Sequence, residues 1–363
     1  MAEFKTPTSK KFRSRIENNS EYETPIVIPA SPYLQQIGYG CGVNVFTLER
    51  SPKIGHVRSP WAVKKRNNRI AHHDKKYNER IRLEADILRK LNHPNIIGFR
   101  AFTISPTGDP CLVMEQLDNS LGDKIEERQE EGAGPFPPGK ILTVAREVAN
   151  ALEYLHHEVH ILHGDLKSYN ILLSQDWKLV KVCDFGVSVP LTKDLQMNDS
   201  KKDVMYTGTK CWNAPEVIFE NGPITNKTDI WSYGLVIWEM IATVPPHSEH
   251  FDGDETPTSS MDISLLDSSD PQTMDTKENY DPNDLTDESI SFLEEKSFGT
   301  FGTRPALPAI HIGPEYDQVL EIFIACTDSD YKTRPSAKGL VQFFKNYAKS
   351  PTPSSSKSAN KET

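Results

Sequence analysis

Long apolar runs are missing from this chain of 363 residues. A membrane-spanning helix needs about 18 or more consecutive apolar residues. The best candidate, residues 234–244, is shorter and is interrupted by Glu239. The first residues are polar and basic, without the apolar stretch of a secretory signal. We therefore predict neither a membrane-spanning segment nor a membrane partner.

Cysteine is scarce, with five residues scattered along the chain and no pair in a CxxC spacing. This pattern argues against a disulfide framework or a zinc cluster and favours a reducing compartment, so we expect a cytoplasmic location with access to the nucleus.

Positive charge is also in deficit, because the chain has 41 Lys and Arg against 51 Asp and Glu, which gives a net charge of −10. Binding to nucleic-acid phosphates needs an excess of positive charge, so we expect no nucleic-acid partner.

Hydrophobic periodicity divides the chain into a small β-rich half and a large α-rich half, which predicts an α+β fold. Residues 1–30 are polar and punctuated by proline, and we expect a disordered N-terminal arm. Residues 31–117 contain short β-type runs and one helical pattern over residues 81–91. Helical patterns dominate residues 118–347, and the Ser-, Pro- and Lys-rich residues 348–363 are predicted to form a disordered tail.

Negative charge is concentrated in residues 248–298, which contain 15 acidic and two basic residues. The remainder of the chain is therefore slightly basic. Apolar residues in this segment are sparse and aperiodic, so we predict a flexible acidic insertion within the α-rich half. An inert solubilising loop and a competitor for basic substrates both fit this composition.

Patterns in the β-rich half suggest the binding of phosphate groups. Residues 37–45 read IGYGCGVNV, and three glycines between two β-type runs allow the backbone to approach a phosphate closely. Taken alone, such a turn is more often structural than functional. The β-type run 61–65 contains Lys64, and Glu84 lies one turn before Leu88 on the core-facing stripe of the predicted helix. An ion pair between this lysine and this glutamate is consistent with both patterns.

Two patterns in the α-rich half supply groups that phosphoryl transfer needs. Residues 163–170 read HGDLKSYN, in which Asp165 is a proton acceptor, Lys167 a cation for a phosphate and Asn170 a metal ligand. The later run VCDFG is a hydrophobic strand that ends in the carboxylate of Asp184.

With GTKCWNAPE at residues 208–216 and DIWSYG at 229–234, these patterns occur in the order typical of the eukaryotic protein kinases, which the chain resembles from about residue 33 to residue 346. The resemblance implies a bilobal kinase fold, with an N-lobe and hinge at 31–117 and a C-lobe at 118–347. Within the family, the stretches IPASPYLQQIGYG, SPWAVKK and HGDLKS resemble a kinase that lies near the mitogen-activated protein kinase kinases. The resemblance implies transfer of a phosphoryl group from ATP, with Mg²⁺, to Ser and Thr of protein substrates, and leaves dual specificity open.

The same resemblance implies the roles of individual residues. It assigns catalytic roles to four residues, Lys64, Glu84, Asp165 and Lys167. It assigns the metal to Asn170 and Asp184. Met114 is expected to be the gatekeeper, before a hinge that ends at Leu117. The positions expected to hold the nucleotide are Ile37, Gly38, Gly40, Gly42, Val45, Ala62, Lys64, Met114, Glu115, Leu117 and Leu172.

Other matches to the family predict architecture rather than chemistry. Glu216 and Arg334 are expected to form a buried ion pair, and Asp229 is expected to bind the backbone of the catalytic loop. His163 is interpreted as a packed core histidine. Strand alternation directs Lys65 to the face opposite Lys64, where we expect it to be solvated rather than catalytic.

Three positions depart from the family pattern. Val43 stands where a third loop glycine is expected, and Gly164 replaces the arginine that receives an activating phosphate in the family. Met205 stands where the phosphate-bearing residue is expected. The arginine that would bind the phosphate and the residue that would carry it are therefore both missing. We hypothesise that activation does not use a phosphate-to-arginine contact, although Thr207 and Ser200 remain regulatory candidates.

The alternative to an active kinase is a pseudokinase or scaffold that binds partners through its lobes and acidic insertion. The altered glycine loop and Gly164 support it, whereas the presence of every catalytic position above argues against it.

For the active enzyme, the resemblance implies protein substrates, a p38-type mitogen-activated kinase pathway, and a mitotic proline-directed kinase acting on Thr6. The C-terminal residues lack the Ser or Thr and the apolar last residue of a PDZ ligand, so this end does not predict PDZ binding.

Overall fold

A computed structural model describes residues 34–40, 42–49, 60–67, 74–105, 107–198, 205–248 and 300–347. The predictions for the N-terminal arm, Thr6, Ser200 and the C-terminal tail lie outside these residues, as do those for nearly all of the acidic insertion. Among the described residues, the chain forms two compact units. The first contains residues up to Asn92 together with Ile97–Gln116, and the second contains His93–Ile96 and the residues from Leu117 onwards.

A five-stranded antiparallel sheet forms the first unit, in the order β1-β2-β3-β5-β4. Its strands are β1 Gln35–Gly40, β2 Val43–Leu48, β3 Trp61–Arg66, β4 Phe99–Ile104 and β5 Pro110–Glu115. Helix α1, Asp74–Leu88, packs on β3 and β5. Glycine Gly42 turns the chain between β1 and β2 with a φ of 71°, a conformation that residues with a Cβ rarely adopt.

The two faces of β3 have different surroundings, because successive side chains of a strand point to opposite faces. Val63 packs with Ala101, Cys111 and Val113 in a fully buried cluster on one face. Lys65 lies over the Phe46 ring at 4.5 Å, as expected for a side chain on a different face from Lys64.

The second unit is mainly helical. Its helices are α2 Leu121–Glu130, α3 Pro138–Glu153, α4 Pro215–Ile218, α5 Asn226–Ala242, α6 Asp317–Cys326 and α7 Ala337–Tyr347. Its short strands are β6 Asn119–Ser120, β7 Ile161–Leu162, β8 Ile171–Leu173, β9 Val180–Val182 and β10 Val189–Pro190. A β6-β8-β9 sheet and a β7-β10 pair place the loops that contain Asp165 and Asp184.

Helix α5 is buried along nearly its whole length, as its continuous apolar character predicts. Thr225 starts the helix with a capping box, in which the Thr228 hydroxyl accepts from the Thr225 backbone. Among the residues described above, no helix combines the length and apolar character that crossing a membrane requires.

A buried ion pair joins two distant parts of the second unit and confirms the predicted contact of Glu216 and Arg334. Arg334 Nη1 and Nη2 donate to the two carboxylate oxygens of Glu216 at 2.9 and 2.8 Å. Both residues are at most 3% exposed. The pair therefore fixes the α4 segment to the residues before α7.

Candidate active site

The first unit contains a buried ion pair between Lys64 and Glu84. Lys64 lies on β3 on the side that α1 covers, and Glu84 lies on the buried stripe of α1 with Ile81 and Ala85. Lys64 Nζ lies 2.9 Å from Glu84 Oε2, and these residues are 7% and 1% exposed. A glutamate held at this distance fixes the position of the lysine ammonium group, so that its N–H groups could donate hydrogen bonds to a phosphate.

The catalytic-loop segment 163–170 is held by Asp229 at the start of α5. Asp229 Oδ2 accepts from the backbone N–H of His163 at 2.9 Å, and Oδ1 accepts from that of Gly164 at 3.0 Å. His156 Nε2 lies 2.7 Å from the same Oδ2. The prediction that Asp229 binds this backbone is therefore confirmed, and His163 is a fully buried side chain stacked edge-on against Phe185, as predicted.

Asp165, Lys167, Asn170 and Thr209 form one hydrogen-bonded cluster. Asp165 Oδ1 accepts from the Thr209 hydroxyl at 2.6 Å and from the Thr209 N–H at 3.0 Å. Lys167 Nζ lies 3.1 Å from Asp165 Oδ2 and donates to Thr209 Oγ1 at 2.7 Å. Asn170 Nδ2 donates to the backbone oxygen of Asp165 at 2.7 Å and to its Oδ2 at 3.1 Å.

These neighbours keep the Asp165 carboxylate ionised. Burial acts to raise the pKa of Asp165, but the positive charge of Lys167 and the hydrogen bond from Thr209 outweigh it, so the pKa is lowered. Asp184 is close enough to oppose this lowering through its own negative charge. The carboxylate is thus a proton acceptor that is free of its proton at neutral pH.

Asp184 follows β9 on the turn to Phe185 and Gly186. Its φ is 64°, in the left-handed region, and the Gly186 N–H donates to its Oδ1 at 3.3 Å. The Cys183 N–H donates to the backbone oxygen of Asn170 at 2.9 Å, which joins this turn to the catalytic loop. Because the Asn170 amide nitrogen is used as a donor toward Asp165, its side-chain oxygen is the atom that could serve a cation.

The residues predicted to hold the nucleotide fall in both units. In the first unit, Ala62 pairs with Met114 across β3 and β5, and Val45 pairs with Lys64. Ile37 is 45% exposed. Of the remaining positions of the first unit, Gly38 and Gly40 lie on β1, Gly42 lies in the turn to β2, and Glu115 ends β5. Leu117 and Leu172 belong to the second unit and are both half-buried. The roles of all these residues stay predictions.

Sequence reasoning missed Glu239, which interrupts the apolar helix α5. Its carboxylate accepts from the Ser168 hydroxyl and from Trp212 Nε1, both at 2.8 Å, and the residue is 1% exposed. It therefore links the catalytic loop to the 208–216 segment. Burial raises its pKa to about 8, against the opposing effect of these hydrogen bonds. The sequence did contain a signal for this role. A carboxylate on a helix that is apolar on every face has to be buried, and a buried carboxylate needs hydrogen-bond donors from neighbouring segments.

A model of the protein kinase domain matches residues 33–344. The chain therefore belongs to the protein kinase family. Human lymphokine-activated killer T-cell-originated protein kinase is 40% identical over 347 residues, which cover 94% of this chain and 97% of that protein. The mitogen-activated protein kinase kinase kinase zak-1 of Caenorhabditis elegans is 30% identical over 68% of this chain and 32% of its own length. Rat mitogen-activated protein kinase kinase kinase 12 is 36% identical over 46% of this chain and 17% of its own.

Family membership makes the chain a protein kinase, and a protein kinase domain implies ATP, a divalent metal and protein substrates. It also agrees with the β-rich first unit and the helical second unit, so the predicted α+β kinase fold is confirmed.

Proposed function

We propose that this protein transfers the γ-phosphoryl group of Mg·ATP to Ser and Thr hydroxyls of proteins. The observation that carries the proposal is the cluster of Asp165, Lys167, Asn170 and Thr209. There the ionised Asp165 carboxylate has a cation, an amide and a hydroxyl within hydrogen-bond distance. These are the groups that phosphoryl transfer uses to orient the acceptor hydroxyl and neutralise charge.

Each residue of the cluster has a separate role in the proposal. Asp165 accepts the proton of the substrate hydroxyl, a contribution of roughly 10²–10⁴-fold in rate for a well-placed base. Lys167 stabilises the negative charge on the transferred group. Thr209 holds Asp165 through two hydrogen bonds and leaves Oδ2 to face Lys167 and Asn170.

The residues present fit a hard divalent cation. Mg²⁺ takes oxygen ligands and is commonly bound by one or two carboxylates together with substrate phosphates. Asp184 offers a carboxylate and Asn170 a side-chain oxygen, and we propose that these two residues hold the metal. When bound, it would neutralise charge on the phosphates. Lys64, oriented by Glu84, would bind the α- and β-phosphates, and the nucleotide positions named above would hold the adenine.

The test is transfer of radiolabel from Mg·ATP to a generic basic protein, comparing wild type with Asp165→Asn. We expect a loss of about 10²–10⁴-fold in the variant. Asp176→Asn is the matched control, because Asp176 is a surface carboxylate with its own lysine, Lys178, at 2.8 Å. Equal, background-level transfer by wild type and Asp165→Asn would contradict the proposal and favour the scaffold alternative. Phosphoamino-acid analysis of the product distinguishes Ser and Thr from additional Tyr specificity.

The pathway is a further part of the proposal. Relatives named as mitogen-activated protein kinase kinase kinases support a place in such a pathway, which we propose to be p38-type. Phosphorylation of Thr6 by a mitotic proline-directed kinase, and a cytoplasmic or nuclear location, are proposed on the sequence alone.

A further inference from the structure

Tyr206 and Asn213 form a hydrogen-bonded pair that closes the turn before the 208–216 segment. Tyr206 Oη donates to Asn213 Oδ1 at 3.1 Å, and Asn213 Nδ2 donates to the backbone oxygen of Gly208 at 3.4 Å. Asn213 is only 6% exposed. The buried Asn213 amide is thus hydrogen-bonded to both Tyr206 and Gly208.

The Tyr206 ring anchors this turn to the strand that leads into the catalytic loop. It packs against the buried cluster of Leu162, Val189 and Leu191, which lies on and directly after the β7-β10 pair. Leu162 directly precedes His163. The neighbouring Met205 is 72% exposed, so within this pair of residues the apolar contact is made by the tyrosine.

Gly208 lies against Gly164 with no room for a side chain. A Cβ on Gly208 would lie 2.6 Å from the Gly164 oxygen, 2.6 Å from Asn213 Oδ1 and 2.5 Å from Tyr206 Oη. Gly164 has a φ of 81°, and a Cβ there would meet the Val187 oxygen at 3.2 Å. The close approach of the two backbones therefore requires glycine at position 208, while the left-handed backbone of residue 164 favours glycine there.

Tyr206, Gly208 and Asn213 together are called the clamp below. Gly208 is followed by Thr209, whose N–H and hydroxyl both reach Asp165. We propose that the clamp positions Thr209 against Asp165 in the absence of any phosphate on this segment, with Tyr206 and Asn213 as positioning residues. This inference rests on the proposed phosphoryl transfer. It supplies the physical replacement for the missing phosphate-to-arginine contact.

The protonation state of Tyr206 agrees with this arrangement. Burial raises the pKa of Tyr206 well above its ordinary value, and the negative charges of Asp229 and Asp165 add to the effect. Its hydroxyl therefore keeps its proton and remains a hydrogen-bond donor at neutral pH.

The first experiment removes only the clamp hydroxyl, by Tyr206→Phe. We expect kcat to fall about fivefold, which corresponds to the loss of one hydrogen bond of about 1 kcal/mol, with KM for ATP unchanged. Tyr316→Phe is the matched control, since its hydroxyl donates to the Phe136 oxygen at 3.0 Å and contacts no residue of the clamp. The control should retain wild-type kcat.

A double-mutant cycle identifies the partner. Asn213→Ala should lower kcat at least as much, because it also removes the bond to the Gly208 oxygen. Combining it with Tyr206→Phe should cause little further loss, because the bond between Tyr206 and Asn213 is already broken in the single variant. Phosphatase treatment should leave the kcat of a Thr6→Ala variant unchanged, and Thr6→Ala is used so that loss of the proposed Thr6 phosphate does not enter the comparison. Unchanged kcat in Tyr206→Phe, fully additive losses, or inactivation of Thr6→Ala by phosphatase would each overturn the proposal.

Failure of the proposed function can be separated from failure of the clamp. If wild type transfers no more label than Asp165→Asn, phosphoryl transfer is refuted, and the clamp is then judged by amide hydrogen exchange over residues 205–213. Faster exchange in Tyr206→Phe than in Tyr316→Phe supports the clamp, and equal exchange overturns it.

Discussion

Replacement of Arg334 by methionine is expected to produce a large loss of stability, because its charge is almost completely buried. The guanidinium binds both oxygens of Glu216 and donates through Nε to the Asp328 oxygen at 2.7 Å. Its Cζ also lies 5.0 Å from the centre of the Trp231 ring. Methionine retains the apolar stem but removes every one of these polar contacts.

The expected magnitude follows from what remains after the substitution. Glu216, 3% exposed, would keep a hydrogen bond from the Thr228 hydroxyl at 3.1 Å but lose its counter-charge. Breaking a buried pair in this way costs about 3–5 kcal/mol. Folded proteins are stable by only about 5–15 kcal/mol, so the loss is a large fraction of the total. At about 2–4 °C per kcal/mol for a unit of this size, Tm should fall by roughly 10 °C.

Denaturant unfolding followed by tryptophan fluorescence measures this effect, with Arg100→Met as the control. Arg100 is 37% exposed along its side chain and lies 3.8 Å from Glu115, so its loss should cost about 1 kcal/mol or less. The double variant Arg334→Met/Glu216→Met should recover part of the stability, since both charges leave together. If Arg334→Met unfolds at the same denaturant concentration as Arg100→Met, the buried ion pair does not stabilise the second unit.

Three further predictions concern single groups of the site. Thr209→Val should lower kcat by roughly tenfold, because the hydroxyl that holds Asp165 is lost. The same loss raises the pKa of Asp165, so the acid limb of the plot of kcat against pH should move to higher pH. An acid limb at the wild-type pH would contradict this prediction. The pKa of Glu239 is raised to about 8 in the folded state. Between about pH 4.5 and 8 the folded protein therefore holds a proton on Glu239 that the unfolded chain has lost. The free energy of unfolding should fall as the pH rises through this range, by at most about 1.4 kcal/mol per pH unit. Glu239→Gln should flatten this slope in denaturant titrations, and an unchanged slope refutes the assignment. Lys64→Ala should abolish transfer whereas Lys65→Ala, on another face of β3, should preserve it in the same assay.

Local pattern was sufficient for the parts of the fold that depend on neighbouring residues. Alternation along β3 separates Lys64 from Lys65, and the helical stripe that contains Leu88 also turns Glu84 toward the core. The 2.9 Å contact between Lys64 and Glu84 then follows once helix and strand pack together. Helix α5 could be predicted for the same reason, because a helix without a polar face has to be buried.

Contacts between residues distant in sequence needed the fold. Asn213 gives no signal in the sequence that it would bind Tyr206, and Glu239 gives none that it would bind both Ser168 and Trp212. The left-handed backbone of Asp184 was equally hidden, because aspartate adopts this conformation only where its surroundings require it. Such positions depend on the packing of several segments at once, which periodicity does not report.

Asp165 is held from two directions, and the two supports differ in kind. Asp229 binds the backbone of the two residues before Asp165 and belongs to the buried helix α5. The catalytic loop is therefore attached directly to the closely packed hydrophobic core. Thr209 instead holds the carboxylate itself, and its own position depends on the clamp. A disturbed clamp therefore changes the hydrogen bonds and charge around the carboxylate without moving the loop. For this reason the rate of phosphoryl transfer, rather than the stability of the protein, is the quantity in which the contribution of Tyr206 should be seen.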